Sequence, residues 1–172
     1  MIIDVNTIDS LGRSFEFSFT DEDLKPDVYG LRLDGAAKML GSVRKVENRY
    51  SVIGKLVGRQ TVDCTRCLGP VSTDLSIAVD VDFVDMGRFA GEQAVELSSE
   101  DLDADELFGQ SIDLAHLARE QIILNIPEQV FCREDCKGLC EKCGQNLNLL
   151  DCNCGRDDAD PRWAALRGLT EE

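Results

Sequence analysis

Eight cysteines fall into four close pairs: Cys64-x-x-Cys67, Cys132-x-x-x-Cys136, Cys140-x-x-Cys143 and Cys152-x-Cys154. Short spacing lets a tight turn aim both sulfurs at one point, as tetrahedral zinc with Zn–S bonds of about 2.3 Å requires. Two pairs close one site, so the expectation is two zinc ions per chain on Cys64, Cys67, Cys132, Cys136, Cys140, Cys143, Cys152 and Cys154. Glycine after Cys143 helps the backbone fold over a metal. Other thiol chemistries compete. A thioredoxin-like pair needs its C-x-x-C at the start of a helix after a strand, whereas Cys64 and Cys67 lie between two strand patterns with Gly69-Pro70 behind them. Disulfides need an oxidising compartment. Four thiolates also suit an iron–sulfur cluster, and a zinc–thiolate centre can serve as a redox switch that ejects its metal on oxidation. The spacing favours zinc.

Intact pairs can join into two sites in three ways. Cys140/Cys143 with Cys152/Cys154 closes a loop of eight residues around Gln145-Asn146-Leu147-Asn148, at small entropic cost. That leaves Cys64/Cys67 with Cys132/Cys136, a long-range clip that stabilises the fold more in principle. Each four-thiolate zinc site carries about −2 in formal charge. Arg66, Arg133, Lys137 and Lys142 lie nearby, and charge balance is a simpler role for them than ligand binding.

Residues 1–86 form a β-rich body. Ser14-Phe15-Glu16-Phe17-Ser18-Phe19 alternates with the period of a half-buried strand. Tyr50, Val52, Gly54, Leu56, Gly58 and Val62 share one parity, with Lys55 and Arg59 on the other. Val43-Arg44-Lys45-Val46 and a turn at Glu47-Asn48 complete a long antiparallel hairpin. Leu75, Ile77, Val79, Val81 and Phe83 alternate with Asp80 and Asp82, a further strand. A short helix is expected after Thr20, with Asp23 as its capping-box partner. Residues 87–110 read as an acidic, largely irregular connection. Within 111–127 a helix is expected, capped by Asp113, with Leu114, Leu117, Ala118, Gln121, Ile122 and Leu124 on an apolar face and Pro127 as its stop. Residues 128–172 hold the cysteine-rich module and a last short helix from Asp160-Pro161, with Trp163 as its anchor. The fold class is therefore α+β over one domain, 1–172: an antiparallel β-rich body, one main helix and a cysteine-rich zinc-binding C-terminal module.

Composition bounds the partners. The 172 residues, 43% hydrophobic and 30% charged, suit one soluble domain. The N-terminus lacks the basic start and apolar stretch of a signal peptide, and no apolar run approaches the roughly 18 residues of a membrane span. The expectation is a cytoplasmic protein without membrane partner, where thiols stay reduced. The net charge of −15 disfavours nucleic acid and favours basic proteins for the molecule as a whole. That charge is uneven. Residues 32–66 carry eight basic against three acidic residues, and residues 74–106 eleven acidic against one basic. These segments could form two electrostatic faces or simply solvated surface.

Cys64-Thr65-Arg66-Cys67-Leu68 resembles the first signature of the YceD family, the large ribosomal RNA subunit accumulation proteins. Glu120-Gln121-Ile122-Ile123-Leu124-Asn125-Ile126-Pro127 is similar to that family's helix-to-proline segment. Cys132-Arg133-Glu134-Asp135-Cys136-Lys137-Gly138-Leu139-Cys140 resembles its most specific motif. Cys143-Gly144-Gln145-Asn146-Leu147-Asn148, Cys152-x-Cys154 and Asp160-Pro161-Arg162 complete the set, in the family's order over residues 50–169. The resemblance implies a factor in the assembly or processing of large-subunit ribosomal RNA, with the pre-ribosomal large subunit as partner. Some members of that family lack the later cysteines while keeping the C-x-x-C and a His or Cys pair after the helix. This implies the same pairing that loop length favours. The family supplies no catalytic residues.

Little else suggests chemistry. His116 is the only histidine, and a solvent-facing or partly packed role suits it. Asp80 and Asp82 share a strand face without a pocket signal, and no glycine-rich phosphate loop follows a strand. The expected function is non-enzymatic support of large-subunit ribosome biogenesis, with no small-molecule substrate. Two mechanisms compete. In one, a basic hairpin including Arg44, Lys45, Arg49, Lys55 and Arg59, with Arg32 and Lys38, contacts ribosomal RNA. In the other, the acidic segment binds a basic ribosomal protein.

Overall fold

The computed structural model describes residues 1–26, 28, 30–85, 104–107, 109–154 and 162. Among them the chain runs β1 (Ile2–Asp4), a 3-10 turn (Val5–Thr7), β2 (Arg13–Phe19), α1 (Asp21–Leu24), β3 (Leu31–Leu33), β4 (Ala37–Val46), β5 (Arg49–Asp63), β6 (Pro70–Val84), β7 (Ala104–Glu106), β8 (Ser111–Asp113) and α2 (Leu114–Leu124). Among the described residues the protein is sheet-rich with few helices, in keeping with the α+β expectation.

The main sheet has the order β2-β4-β5-β6-β7, and β3 pairs with β5 beyond the end of β4. Its pairings are antiparallel except β6–β7, which is parallel. β1 and β8 form a separate two-stranded pair. The hairpin turns at Glu47-Asn48, where Val46 faces Arg49 and Glu47 takes a φ of 53°. β5 then pairs with β6 along its whole length, from Arg49↔Val84 to Asp63↔Pro70. Alternation does what the sequence demands. Val52, Leu56 and Val62 of β5 are buried with Leu75, Ile77 and Val79 of β6, while Lys55 and Arg59 are exposed. Gly41 and Gly54 face each other across β4 and β5, so closely that a Cβ on Gly41 would lie 2.4 Å from the Ile53 carbonyl oxygen.

α2 closes the core. Asp113 caps it, its Oδ1 accepting from the N–H groups of Ala115 (2.9 Å) and His116 (3.4 Å). Leu114, Leu117, Ala118 and Ile122 are buried in one cluster with Met39, Val43, Val52 and Leu56 of the sheet and Ile3, Val5 and Ile112 around the β1–β8 pair. Leu124, assigned to the same face by its apolarity, is 75% exposed. About 80° round the helix from Leu114, it lies at the edge of the buried stripe beside Leu117, in the last position of α2. At α1, Thr20 and Asp23 form the expected capping box.

Two further expectations change. Residues 104–106, expected to be irregular, form β7 on the edge of β6, and residues 111–113, expected within the helical segment, form β8. Backbone pairing partners far along the chain decide both, and local pattern does not register them. Residues 87–103 and 108 of the acidic connection, the helix from Asp160-Pro161 and the anchor Trp163 lie outside the described residues.

Candidate metal centres

The turn from β5 to β6 is a cysteine knuckle. Cys64 donates its N–H to the Gly69 carbonyl at 2.8 Å, and Leu68 donates to the Cys64 carbonyl at 2.9 Å with φ at 56°. After α2 the chain returns beside this turn. Thr65 N–H donates to Val130 O at 2.8 Å, and Val130 N–H donates to Thr65 Oγ1 at 2.9 Å. The two bonds bring Cys132 and Cys136 to the knuckle. Cys64 Sγ lies 3.9 Å from Cys136 Sγ, and Cys67 Sγ lies 3.7 Å from Cys132 Sγ. Cys64, Cys67 and Cys136 are buried and Cys132 is exposed.

A second cluster follows directly. Cys140 N–H donates to Gln145 O and Gly144 N–H donates to Cys140 O, each at 2.8 Å, a tight loop that gives Gly144 a φ of 70°. Cys140 and Cys143 thereby meet Cys152 and Cys154. Within each group of four, all sulfurs lie within 4.8 Å of one another. This is the grouping that loop closure favours, and all eight thiols are free.

The donor sets fit a tetrahedral metal ion. Bonds of about 2.3 Å at tetrahedral angles place sulfurs about 3.8 Å apart, which brackets the 3.7 and 3.9 Å separations of the inner cluster. Backbone N–H groups already point at the sulfurs. Burial opposes ionisation of Cys64, but N–H groups of Cys67, Cys132 and Arg66 outweigh it and hold its pKa at about 6. Cys140 is likewise held at about 6 by the N–H groups of Cys143 and Lys142. Their neighbours are driven the other way. Burial and the three adjacent thiols push Cys132 to about 12, and Cys143, burial and Cys140 push Cys154 to about 12. Four sulfurs this close cannot all ionise without a cation, and a divalent ion removes that conflict.

Around the clusters, two side chains carry more structure than charge balance suggests. Arg66 Nη1 donates to the carbonyls of Glu134 and Cys136, each at 3.1 Å, and its guanidinium lies 4.2 Å from the Phe131 ring centroid. Asn148, which sequence reasoning passed over, donates from Nδ2 to Cys136 Sγ at 3.3 Å. The only signal for it was its place in the Gln145-Asn146-Leu147-Asn148 loop. Gly138 joins the two clusters: its φ is 76°, a Cβ there would meet Arg66 O at 3.0 Å, and Leu139 N–H donates to that oxygen at 3.1 Å.

The basic residues of the hairpin divide. Arg44, Arg49, Lys55 and Arg59 share one face of the sheet by strand parity. Lys45 lies on the other, its Nζ 5.5 Å from the Tyr50 ring centroid. Acidic β6 runs directly beside β5, so Asp74, Asp80 and Asp82 share the face with Lys55 and Arg59. Arg59 pairs with Asp74 at 3.4 Å. The two charged segments are thus neighbours over residues 74–82, because they are consecutive strands of one antiparallel pair. His116 is exposed and meets Glu120 one turn on, at 3.3 Å. Two adjoining clefts of about 370 and 290 Å³ run between β6, β7 and α2, with Asp80, Asp105, Glu106, Asp113 and Glu120 among their lining residues. No helix among the described residues is long and apolar enough to cross a membrane.

Known proteins are similar to this chain in sequence. A chloroplastic protein of Arabidopsis thaliana, named as a homolog of the large ribosomal RNA subunit accumulation protein, is 38% identical over 63 residues, 37% of this chain and 20% of its own length. An uncharacterized protein of Mycobacterium tuberculosis is 28% identical over 124 residues, 72% of this chain and 57% of the relative. An uncharacterized protein of Bacillus subtilis is 26% identical over 163 residues, 93% of this chain and 90% of the relative. The chain thus spans about a fifth of the plant relative and under two thirds of the mycobacterial one. No solved structure matches. The family model described as large ribosomal RNA subunit accumulation protein YceD matches residues 52–170, a span that takes in all eight cysteines of the two clusters, and the chain belongs to that family.

Proposed function

We propose that the protein is a non-enzymatic factor in large-subunit ribosome biogenesis, supporting accumulation or processing of the ribosomal RNA, and that two zinc ions stabilise it. Family membership carries the first part, since the family is named for accumulation of that RNA. The two four-sulfur clusters support the second: an all-thiolate tetrahedral donor set is that of structural zinc, with no open position for a substrate. In this reading Cys64, Cys67, Cys132 and Cys136 hold one ion and Cys140, Cys143, Cys152 and Cys154 the other. The chain works as one cytoplasmic domain over residues 1–172.

RNA is met through the sheet face that carries Arg44, Arg49, Lys55 and Arg59. A second reading is favoured by the acidic clefts beside α2 and by the net charge of −15, which suit a basic ribosomal protein better than a phosphate backbone. One experiment separates them. Arg44→Glu with Lys55→Glu should weaken co-sedimentation with pre-ribosomal large subunits, more at low salt than at high, with zinc content unchanged. If association survives that double reversal at every salt concentration, the RNA-contacting face is wrong, and protein capture at the acidic clefts becomes the better account.

A further inference from the structure

Asn148 belongs by sequence to the loop of the outer cluster, four residues before Cys152. Its side chain ends on the inner one. Nδ2 donates to Cys136 Sγ at 3.3 Å and to Asn146 Oδ1 at 2.9 Å. Oδ1 accepts from the Lys137 backbone N–H at 2.8 Å and from Arg133 Nη2 at 2.7 Å. The amide therefore grips a candidate ligand sulfur and the peptide directly after it, from both of its ends. The loop that carries it spans residues 144–151 and is closed at its two ends by the outer pairs, Cys140/Cys143 and Cys152/Cys154. It is also docked on the inner segment, Leu147 N–H donating to Gly138 O at 2.9 Å and Leu139 bridging Asn146.

We propose that Asn148 is a positioning residue that couples the two metal centres: closing the outer cluster fixes the loop, the loop fixes Cys136, and the inner ion is held firmly only while the outer cluster is closed. This rests on the reading of both clusters as metal centres. The physical basis is the usual one for groups behind metal ligands. A hydrogen bond to a ligand orients it and tunes its donor strength, and its loss costs about 10–100-fold in metal affinity. Here the group behind an inner ligand is supplied by the outer site's own loop, so emptying one site loosens the other.

Zinc transfer to a chromogenic chelator, followed in time on the full chain, tests this, with cadmium-113 resonances assigning each site. Asn148→Asp keeps an oxygen for Lys137 and Arg133 but removes the donor to Cys136, and Asn148→Leu removes both. Both variants should release the inner ion about tenfold faster or more, and the inner cadmium resonance should shift while the outer one stays in place. Cys143→Ser, which opens the outer cluster, should speed inner release to a similar degree, and adding Asn148→Leu to it should accelerate release no further. Two bound ions with inner release unchanged in Asn148→Asp would overturn the coupling while leaving the zinc reading intact. Faster release in Cys143→Ser alone would overturn the assignment to Asn148. A wild-type protein that binds no metal would overturn both the coupling and the metal reading.

Discussion

Arg66 shows how a residue's type can suggest one role and its contacts another. Beside an anionic thiolate cluster a cation reads as charge compensation, yet its guanidinium joins two backbone carbonyls across the inner site and covers Phe131. A rigid, planar and weakly hydrated group makes all three contacts with less lost freedom than a lysine ammonium on its flexible stem. Arg66→Lys should therefore restore little of what Arg66→Ala loses, each lowering stability by about 1–2 kcal/mol in urea unfolding. Full rescue by lysine would restore the charge-balance role. Asp34 is a second such residue. Its carboxylate accepts from Ser72 Oγ at 2.7 Å and Thr61 Oγ1 at 2.8 Å, fastening the β3–β4 link to β5 and β6. These two hydroxyls hold its pKa below the ordinary carboxylate value. The folded state thus binds this proton less readily than the unfolded chain, so the contribution is present above the unfolded value of about 3.9 and lost as pH falls through the folded one. The stability difference between wild type and Asp34→Asn should be largest near pH 7 and shrink toward pH 2.

At the scale of elements, β4 and β5 approach so closely that side chains are excluded at one point. With Ile53 O 2.4 Å from a Cβ on Gly41, and Leu40 O 2.5 Å from one on Gly54, the obstacle is backbone and cannot swing aside. Gly41→Val should lower stability by about 1–3 kcal/mol despite its better strand propensity, as read from the shift in unfolding midpoint. A stabilised variant would mean that the strands can separate without cost. α2 depends on a different local device, the Asp113 cap, which also meets the N-terminal ammonium at 3.5 Å. Asp113→Ala should cost about 1 kcal/mol.

Across the whole molecule, the inner cluster joins the β5–β6 turn to a segment more than sixty residues away, and the outer cluster closes a local loop. Metal in the first restrains far more of the unfolded chain. Cys64→Ser should therefore lower the melting temperature much more than Cys143→Ser, although each loses one zinc ion. Equal falls would argue against a bridging inner centre. Two filled centres would also bring the formal charge from −15 to roughly −19. With β6 supplying Asp74 and Asp80 beside the basic strip, any grip on RNA must come from Arg44, Lys55 and their neighbours locally.

Features that depend on short-range pattern were legible in the order of the amino acids. Strict alternation located β2, β5 and β6, a two-residue turn located the hairpin, Asp113 and Pro127 bracketed α2, and the eight-residue spacing between Cys143 and Cys152 paired the outer cysteines. Each is set by steric period or by loop entropy, which adjacent residues carry in full. Tertiary structure decided the rest. β7 and β8 exist because distant strands offer them backbone partners. Lys45 leaves the basic face because pleat parity in the final register, not proximity to the turn, sets where a side chain points. Asn148 reaches Cys136 only because the outer loop is folded back over Gly138, whose left-handed backbone lets the two clusters lie side by side. Contacts of this kind depend on where separate segments dock, and no local periodicity encodes that.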